Sequence, residues 1–416
     1  MFEIGWIDFS NKDRERAKRL LSFIKPEGQL DELGVGYIRD AISNQIFPGI
    51  STIQTRAKYF FIVTNILRDF AKLNPSEKRK TTARNYLKTH EHEVKNRLRD
   101  LYDGKEGLGI IGVTLKERQQ VKRNASEIYW NGLQTYRFLE NGGLSLPQFL
   151  KNFSAPQTLE RSVTNEEKDD LMEIEGLEKI KTPIDNHWFQ NLQLGLTEDE
   201  QGFFKSQILQ PSNFKAYSLL VELMKNEELR NVFIDALTFQ DFVMQAQEIH
   251  FDIDVKENLV LAHDFSWLME GVHLLYNHIL KVHIFGANYT DYHLDEYIDW
   301  RTQIEQLMID FKGFNPSELY KHTKYSRNGT ELFINAWWEY IKNTDPKALP
   351  SSDILKFIEN RERLSKGKKS RLSKPASANT DVDIEKTIGL GRFQFRFFNA
   401  KTIVKDIFEE PKKEFE

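Results

Sequence analysis

Apolar residues recur at intervals of three and four along most of this chain and alternate almost nowhere, which limits it to folds built of packed helices. From Ser51 to Leu73 the residues Ile53, Ala57, Phe60, Phe61, Leu67 and Ala71 form one stripe and predict a buried central helix. Ser10 with Asp13 reads as a capping box that opens an earlier helix, Asn11 to Ile24, on Ala17, Leu20, Leu21 and Ile24. Asn74-Pro75 ends the central helix, and Pro75-Ser76 starts a long basic one to Asp103, with Gly104 as its stop and so few apolar residues that exposure is expected. A further helix is expected through Leu115 and Val121. Thr197 with Glu200 caps another, followed by Leu219 to Met224, Phe242 to Ile249, Phe265 to Val282, Tyr292 to Ile309 and Glu331 to Ile341. Only Ile249 to Val255 and Gly391 to Phe398 alternate as strands do. The predicted class is mainly α, with two helical domains and at most a few short strands.

A length of 416 residues exceeds what one core serves, so more than one domain is expected. Composition divides the chain into a basic helical domain at 1–145, an acidic linker region at 146–180, a second helical domain at 181–350 and a basic flexible linker at 351–384. A C-terminal strand and helix, 385–416, are expected to pack on the body. There is no cysteine, which excludes disulfides, thiolate zinc sites and a cysteine nucleophile and suits a reducing compartment. The first residues carry no basic segment ahead of an apolar one, and no apolar run approaches the roughly 18 residues of a membrane span. A cytoplasmic protein is therefore expected.

The net charge of −4 conceals a polarised chain. Residues 51–140 hold 18 Lys and Arg against 10 Asp and Glu, while the remainder is acidic. A second basic run, Arg361 to Lys374, carries seven positive residues against Glu362 alone. Such asymmetry suits a polyanion, and equally suits basic helices docked on acidic ones.

The densest chemistry lies between Leu33 and Phe61. Phe47-Pro48-Gly49-Ile50-Ser51-Thr52 reads as a tight turn between two helices, with Gly49 free to take positive φ and Ser51 or Thr52 able to cap. The backbone N–H groups at such a helix start form a ready anion site. Arg56 in the first turns would oppose the helix dipole by roughly 0.3–1 kcal/mol, so it calls for an acidic neighbour or a bound anion. Asp40 is the expected neighbour; the alternative is a phosphate lined by Arg39, Gln54, Arg56 and Tyr59. The pattern also resembles the helix-hairpin-helix of DNA-binding proteins, although Ser51 replaces that motif's second glycine. Lys78, Arg79 and Lys80 are candidate phosphate contacts, and Tyr129 with Trp130, close to Lys122 and Arg123, could stack on bases or belong to the core.

Other constellations are weaker. Six of the ten histidines fall between His250 and His293, and Glu270-x-x-His273 has a metal-ligand spacing, but no second such motif accompanies it. Asp252-Ile253-Asp254-Val255-Lys256 is a fragment found in nucleases, here without surrounding strands. Walker, dinucleotide-binding and Ser-His-acid patterns are absent, so no metal and no cofactor is expected. Arg392 to Phe397 places three phenylalanines on one side and Arg392, Gln394 and Arg396 on the other.

Trp6 to Ser10, Leu33 to Asp40, Phe47 to Arg56, Gly109 to Gly112, Ile128 to Leu133, and Glu270-Gly271 with Leu275 to Asn277 together resemble bacterial domain-of-unknown-function family 6361. That resemblance implies a setting beside helicases, nucleases or methyltransferases in phage-defence loci, and no activity for named residues. The leading expectation is a nucleic-acid-binding component, of DNA before RNA, in an antiviral-defence or DNA-modification system, working with a helicase or nuclease and no membrane. An enzyme on nucleic acid is the alternative: a glycosylase, with Asp69 as the nearest acid beyond the hairpin, or a nuclease. A structural scaffold is the third reading.

Overall fold

The computed structural model describes residues 31–140, 142–154, 177–210, 218–286, 289, 292–307, 314–321, 328–383, 387–389 and 391–409. The expected helix Asn11 to Ile24 and most of the acidic run 166–178 lie outside them. Helices make up the regular structure of the described residues, and the only β pairing among them is an isolated bridge between Leu139 and Ile180. The chain is mainly α. It divides into two compact units, each assembled from distant segments: Met1–Ser43, Thr238–Met244 and Lys256–Phe395 in the first, and Asn44–Leu237, Gln245–Val255 and Arg396–Glu416 in the second.

The second unit is organised around α2 (Lys58–Lys72), buried at all but two of its positions. The predicted helix starts too early: Ser51 to Ala57 form an irregular connection after α1 (Gly36–Ile46), and Ile53 is 41% exposed. Phe60 is the hub of the core, with ring centroids of Tyr129, Tyr136, Phe138 and Phe204 at 4.8–5.4 Å. These rings come from α5 (Ala125–Thr135), the segment after it, and α7 (Glu198–Leu209). Thr197 caps α7 in a full capping box with Glu200, as the sequence predicts. α6 (Leu146–Ser154) packs on α4 (Ala83–Leu101), while α8 (Leu219–Lys225) and α16 (Phe397–Phe408) pack on α7 and α9 (Glu227–Asp235) packs on both of them.

The basic stretch after Asn74 forms two helices, not one. α3 (Pro75–Lys78) is closed by its own capping box, and Thr82 starts α4 by accepting from the Asn85 N–H. The expectation that this helix lies exposed is corrected as well. Ala83, Leu87, Glu91, Val94, Lys95 and Leu98 recur at helical spacing and are buried against α2. The helix expected through Leu115 and Val121 is instead a chain of turns held by positive-φ Gly109 and Gly112.

The first unit centres on α11 (Ile253–Phe285), 33 residues long, which follows α10 (Phe239–Ala246). Trp300 of α12 (Tyr292–Leu307) donates to the Trp267 carbonyl, and Trp337 of α14 (Asn328–Asn343) to that of Leu268, so two indoles stack over α11 with centroids 6.2 Å apart. Gly271 permits this approach, since a Cβ there would lie 2.2 Å from Trp300. Neither expected strand forms. Asp252 accepts from the N–H groups of Asp254 and Val255 and so begins α11, while Phe395 and Arg396 turn into the left-handed region ahead of α16.

The basic run at 361–374 is structured in the same unit. α13 (Pro316–Lys321) packs on α14, and α15 (Ser352–Lys366) is capped by Ser351 and buries Ile354, Ile358 and Glu362. Arg361 is bound by the carbonyls of Leu33, Gly34 and Gly329, Arg363 by Glu359, and Arg371 by Asp381 and Glu32. Arg363, Lys366 and Arg371 are thus paired with acids of the chain, while Lys368, Lys369 and Lys374 stand exposed.

Candidate nucleic-acid interface

At the Phe47–Ala57 connection, where the sequence suggests an anion site, the chain's own side chains take the backbone N–H groups and the Arg56 guanidinium. Gly49 takes φ +82°, where a Cβ would come within 2.9 Å of Tyr136. Gln54 is fully buried, its Oε1 accepting from the Ser51 N–H and its Nε2 donating to the Gly49 carbonyl. The Tyr129 hydroxyl accepts from the N–H groups of Thr55 and Arg56, at 2.8 and 3.0 Å, and donates to the Arg56 carbonyl. Asp406 of α16 takes the Ala57 N–H at 2.7 Å and the Arg56 guanidinium at 2.8–3.0 Å.

Arg56 therefore has an internal acid, but it is Asp406 and not Asp40, whose carboxylate pairs with Arg39 at 2.9 Å. Burial opposes the Arg56 charge; the bonds and attraction from Asp406 outweigh it and hold the guanidinium pKa above its ordinary value. Asp406 is raised because burial exceeds what its donors, the Arg56 guanidinium and the Ala57 N–H, return. No helix-hairpin-helix results, because seven irregular residues separate the Gly49 turn from α2. Tyr59 is buried, and its hydroxyl accepts from the Ile111 N–H at 2.8 Å. The Trp130 indole N–H donates to the Leu144 carbonyl while its ring packs on Phe149 at 5.2 Å, so Tyr129 and Trp130 serve the core. Lys78 donates to the Ala71 carbonyl at the end of α2. Only Arg79 and Lys80 of the expected set project into solvent with no side-chain partner.

A different surface in the same unit carries unpaired charge. Arg84 and Lys88 stand four residues apart on α4, one turn of a single face. Lys116, Arg118, Lys122 and Arg123 line the loop that leads into α5. All six are exposed, and none has a hydrogen-bond or ion-pair partner through its side chain. From Lys72 to Arg123 eleven exposed Lys and Arg face six exposed acids. Of those acids Glu77 closes a capping box, Glu93 pairs with His90 and Asp100 with Arg99.

The two halves of this surface meet at a pocket lined by Tyr59, Lys88, Glu91, His92, Lys95, Gln120, Val121 and Asn124 among others. Lys95 holds the loop in place by donating to the carbonyls of Lys116, Glu117 and Gln119. Glu91 is 8% exposed, and its Oε1 accepts from the Ser126 N–H at 2.6 Å. Its other oxygen, Oε2, has no partner. Burial pushes this carboxyl up to about 7, against the bonds from Ser126 and with a small contribution from Glu127. Glu91 was legible as a charged residue within the Leu87, Val94 and Leu98 stripe, a pattern that places an acid in a helix core.

The remaining motifs resolve into structure. Glu270 pairs with Arg392 at 2.7 Å, and His273 is buried with its ring 6.0 Å from that of Phe393, the burial lowering its pKa to about 4. Among the described residues no cluster of three or more metal-ligating side chains occurs. Asp69 accepts from the Trp188 indole at 2.8 Å. Gln394, expected on an outward face, is buried and bonded to Gln240 and the Phe239 N–H.

The model of a family described as a family of unknown function, DUF6361, matches residues 1–397. The chain belongs to this family. The DUF6361 match takes in the Gly49 turn, α4 and the pocket, whereas Asp406 lies beyond it. No curated protein and no solved structure matches the chain. No helix of the described residues is long and apolar enough to cross a membrane.

Proposed function

We propose that this DUF6361 protein is the nucleic-acid-binding component of a bacterial antiviral-defence or DNA-modification system, acting with a partner protein. One observation carries the binding part: exposed, unpartnered cations gather along α4 and the loop before α5, with few acids between them. Arg79, Lys80, Arg84, Lys88, Lys122 and Arg123 are the phosphate contacts in this reading. An unpaired cation costs nothing to retain in water, and a row of them with few acids between raises the local concentration of a polyanion. The antiviral setting is supported by the family resemblance and not by the geometry. No observation favours the glycosylase alternative, since Asp69 is already committed to Trp188.

Filter binding of single- and double-stranded DNA across a salt series tests the reading. Log affinity should fall linearly with log salt, by about 0.7 per phosphate contact on a single strand and about 0.9 on a duplex. Absence of binding at low salt removes the proposal.

A further inference from the structure

We propose that the pocket beside α4 recognises an unpaired nucleobase by its exocyclic amino group, with Glu91 Oε2 as the acceptor. The inference rests on the nucleic-acid reading and adds a substrate feature to it. Three observations converge. Glu91 lines the pocket, is almost wholly buried, and carries an oxygen with no donor among the described residues. A buried carboxylate oxygen left unpaired is costly, and native structures retain such a group where something else completes it. Lys88 lines the same pocket and Lys122 adjoins Val121 on its wall, so phosphate contacts stand at the mouth while a hydrogen-bond acceptor stands inside.

Together these select one chemistry. A ligand must present anionic groups outward and a hydrogen-bond donor inward, and a nucleotide bearing an amino group does both. Ile62, Val94, Ile111 and Val121 supply apolar walls. The interior is narrow, with room for one small polar group, so only a base edge enters, and a paired base with its neighbours would be held out. With Oε1 committed to Ser126, the single free oxygen accepts from N4 of cytosine and meets O4 of thymine as acceptor against acceptor. The other titratable groups facing Glu91 are Tyr59 on α2, Lys88, His92 and Lys95 on α4, and Glu127 on α5.

The test compares oligo(dC) with oligo(dT) by fluorescence anisotropy at about pH 8, where Glu91 is ionised. The full-length protein should bind oligo(dC) roughly tenfold more tightly. Glu91→Gln keeps an acceptor for Ser126 and turns its Nε2 donor to the pocket, so it should lose or reverse the preference with its salt dependence unchanged; thermal unfolding confirms that the variant is folded. Equal affinity of the wild-type protein for the two oligomers, or a preference that persists in Glu91→Gln, overturns the inference and leaves the nucleic-acid reading intact. Failure of both oligomers to bind at low salt overturns both.

Discussion

The Gly49–Ala57 connection and the α4 pocket lie in one unit and use the same ingredients, cations beside tyrosines and a buried carboxylate, yet they end in opposite states. At the first, Asp406, Tyr129 and Gln54 satisfy the Arg56 guanidinium and the surrounding N–H groups. At the second, Glu91 keeps an unpaired oxygen and the neighbouring exposed cations Arg84, Lys88, Lys122 and Arg123 have no ion-pair partner. The difference separates a polar cluster that holds the fold from one still open to a ligand. Charge and residue type are shared; what distinguishes them is whether the chain itself closes the network.

Removing the acid that closes the first cluster should have the largest effect. Asp406→Ala strands a buried guanidinium and the Ala57 N–H together, and a loss of about 3–5 kcal/mol in urea denaturation is expected. Adding Arg56→Met should recover part of that loss, since no uncompensated charge is then left. A double variant no more stable than Asp406→Ala would show that Arg56 does not depend on this partner.

The second cluster should respond with the opposite sign. Glu91 has its folded pKa raised to about 7 from an unfolded value near 4.5, so the native state holds the proton more tightly. Stability is then lost as pH rises from about 4.5 through about 7, amounting to about 3 kcal/mol for a shift of that size. Glu91→Gln removes this dependence and should be more stable than the wild type at about pH 8 by up to about 3 kcal/mol, with little difference near pH 4. A variant less stable at both pH values would show that the carboxylate serves the fold.

Tyr129→Phe probes the first cluster more gently. It removes the hydroxyl that two backbone N–H groups share, at an expected cost of about 1–3 kcal/mol in the same denaturation measurement.

How far these clusters could be read from the sequence depends on distance along the chain. The helices on apolar spacing were legible, as was the Thr197–Glu200 cap, because both signals lie within a few residues. The Gly49 turn and its demand for an anion were legible for the same reason. The answering group was not: Asp406 lies 350 residues from Arg56, and no local pattern links them. Asp40 is only the nearest acid along the chain, and it pairs with Arg39. The basic segment reads as one exposed helix because the Thr82 restart is a single cap and because its buried stripe contains Glu91 and Lys95, which count as polar in any periodicity. That same irregularity was the one sequence trace of the pocket.

The smallest effect on stability should accompany the clearest effect on binding. Arg84 and Lys88 are exposed and unpaired, so replacing both by Gln should change unfolding free energy by no more than about 0.5 kcal/mol. Each lost phosphate contact should nonetheless reduce the salt slope on single-stranded DNA by about 0.7. Arg56→Gln should do the reverse, weakening the fold while leaving the slope of the folded fraction untouched, because its charge is already held by Asp406. If Arg56→Gln lowers the slope and the α4 pair does not, the two clusters have exchanged roles: the connection would be the interface, and the cations on α4 only a solvated face.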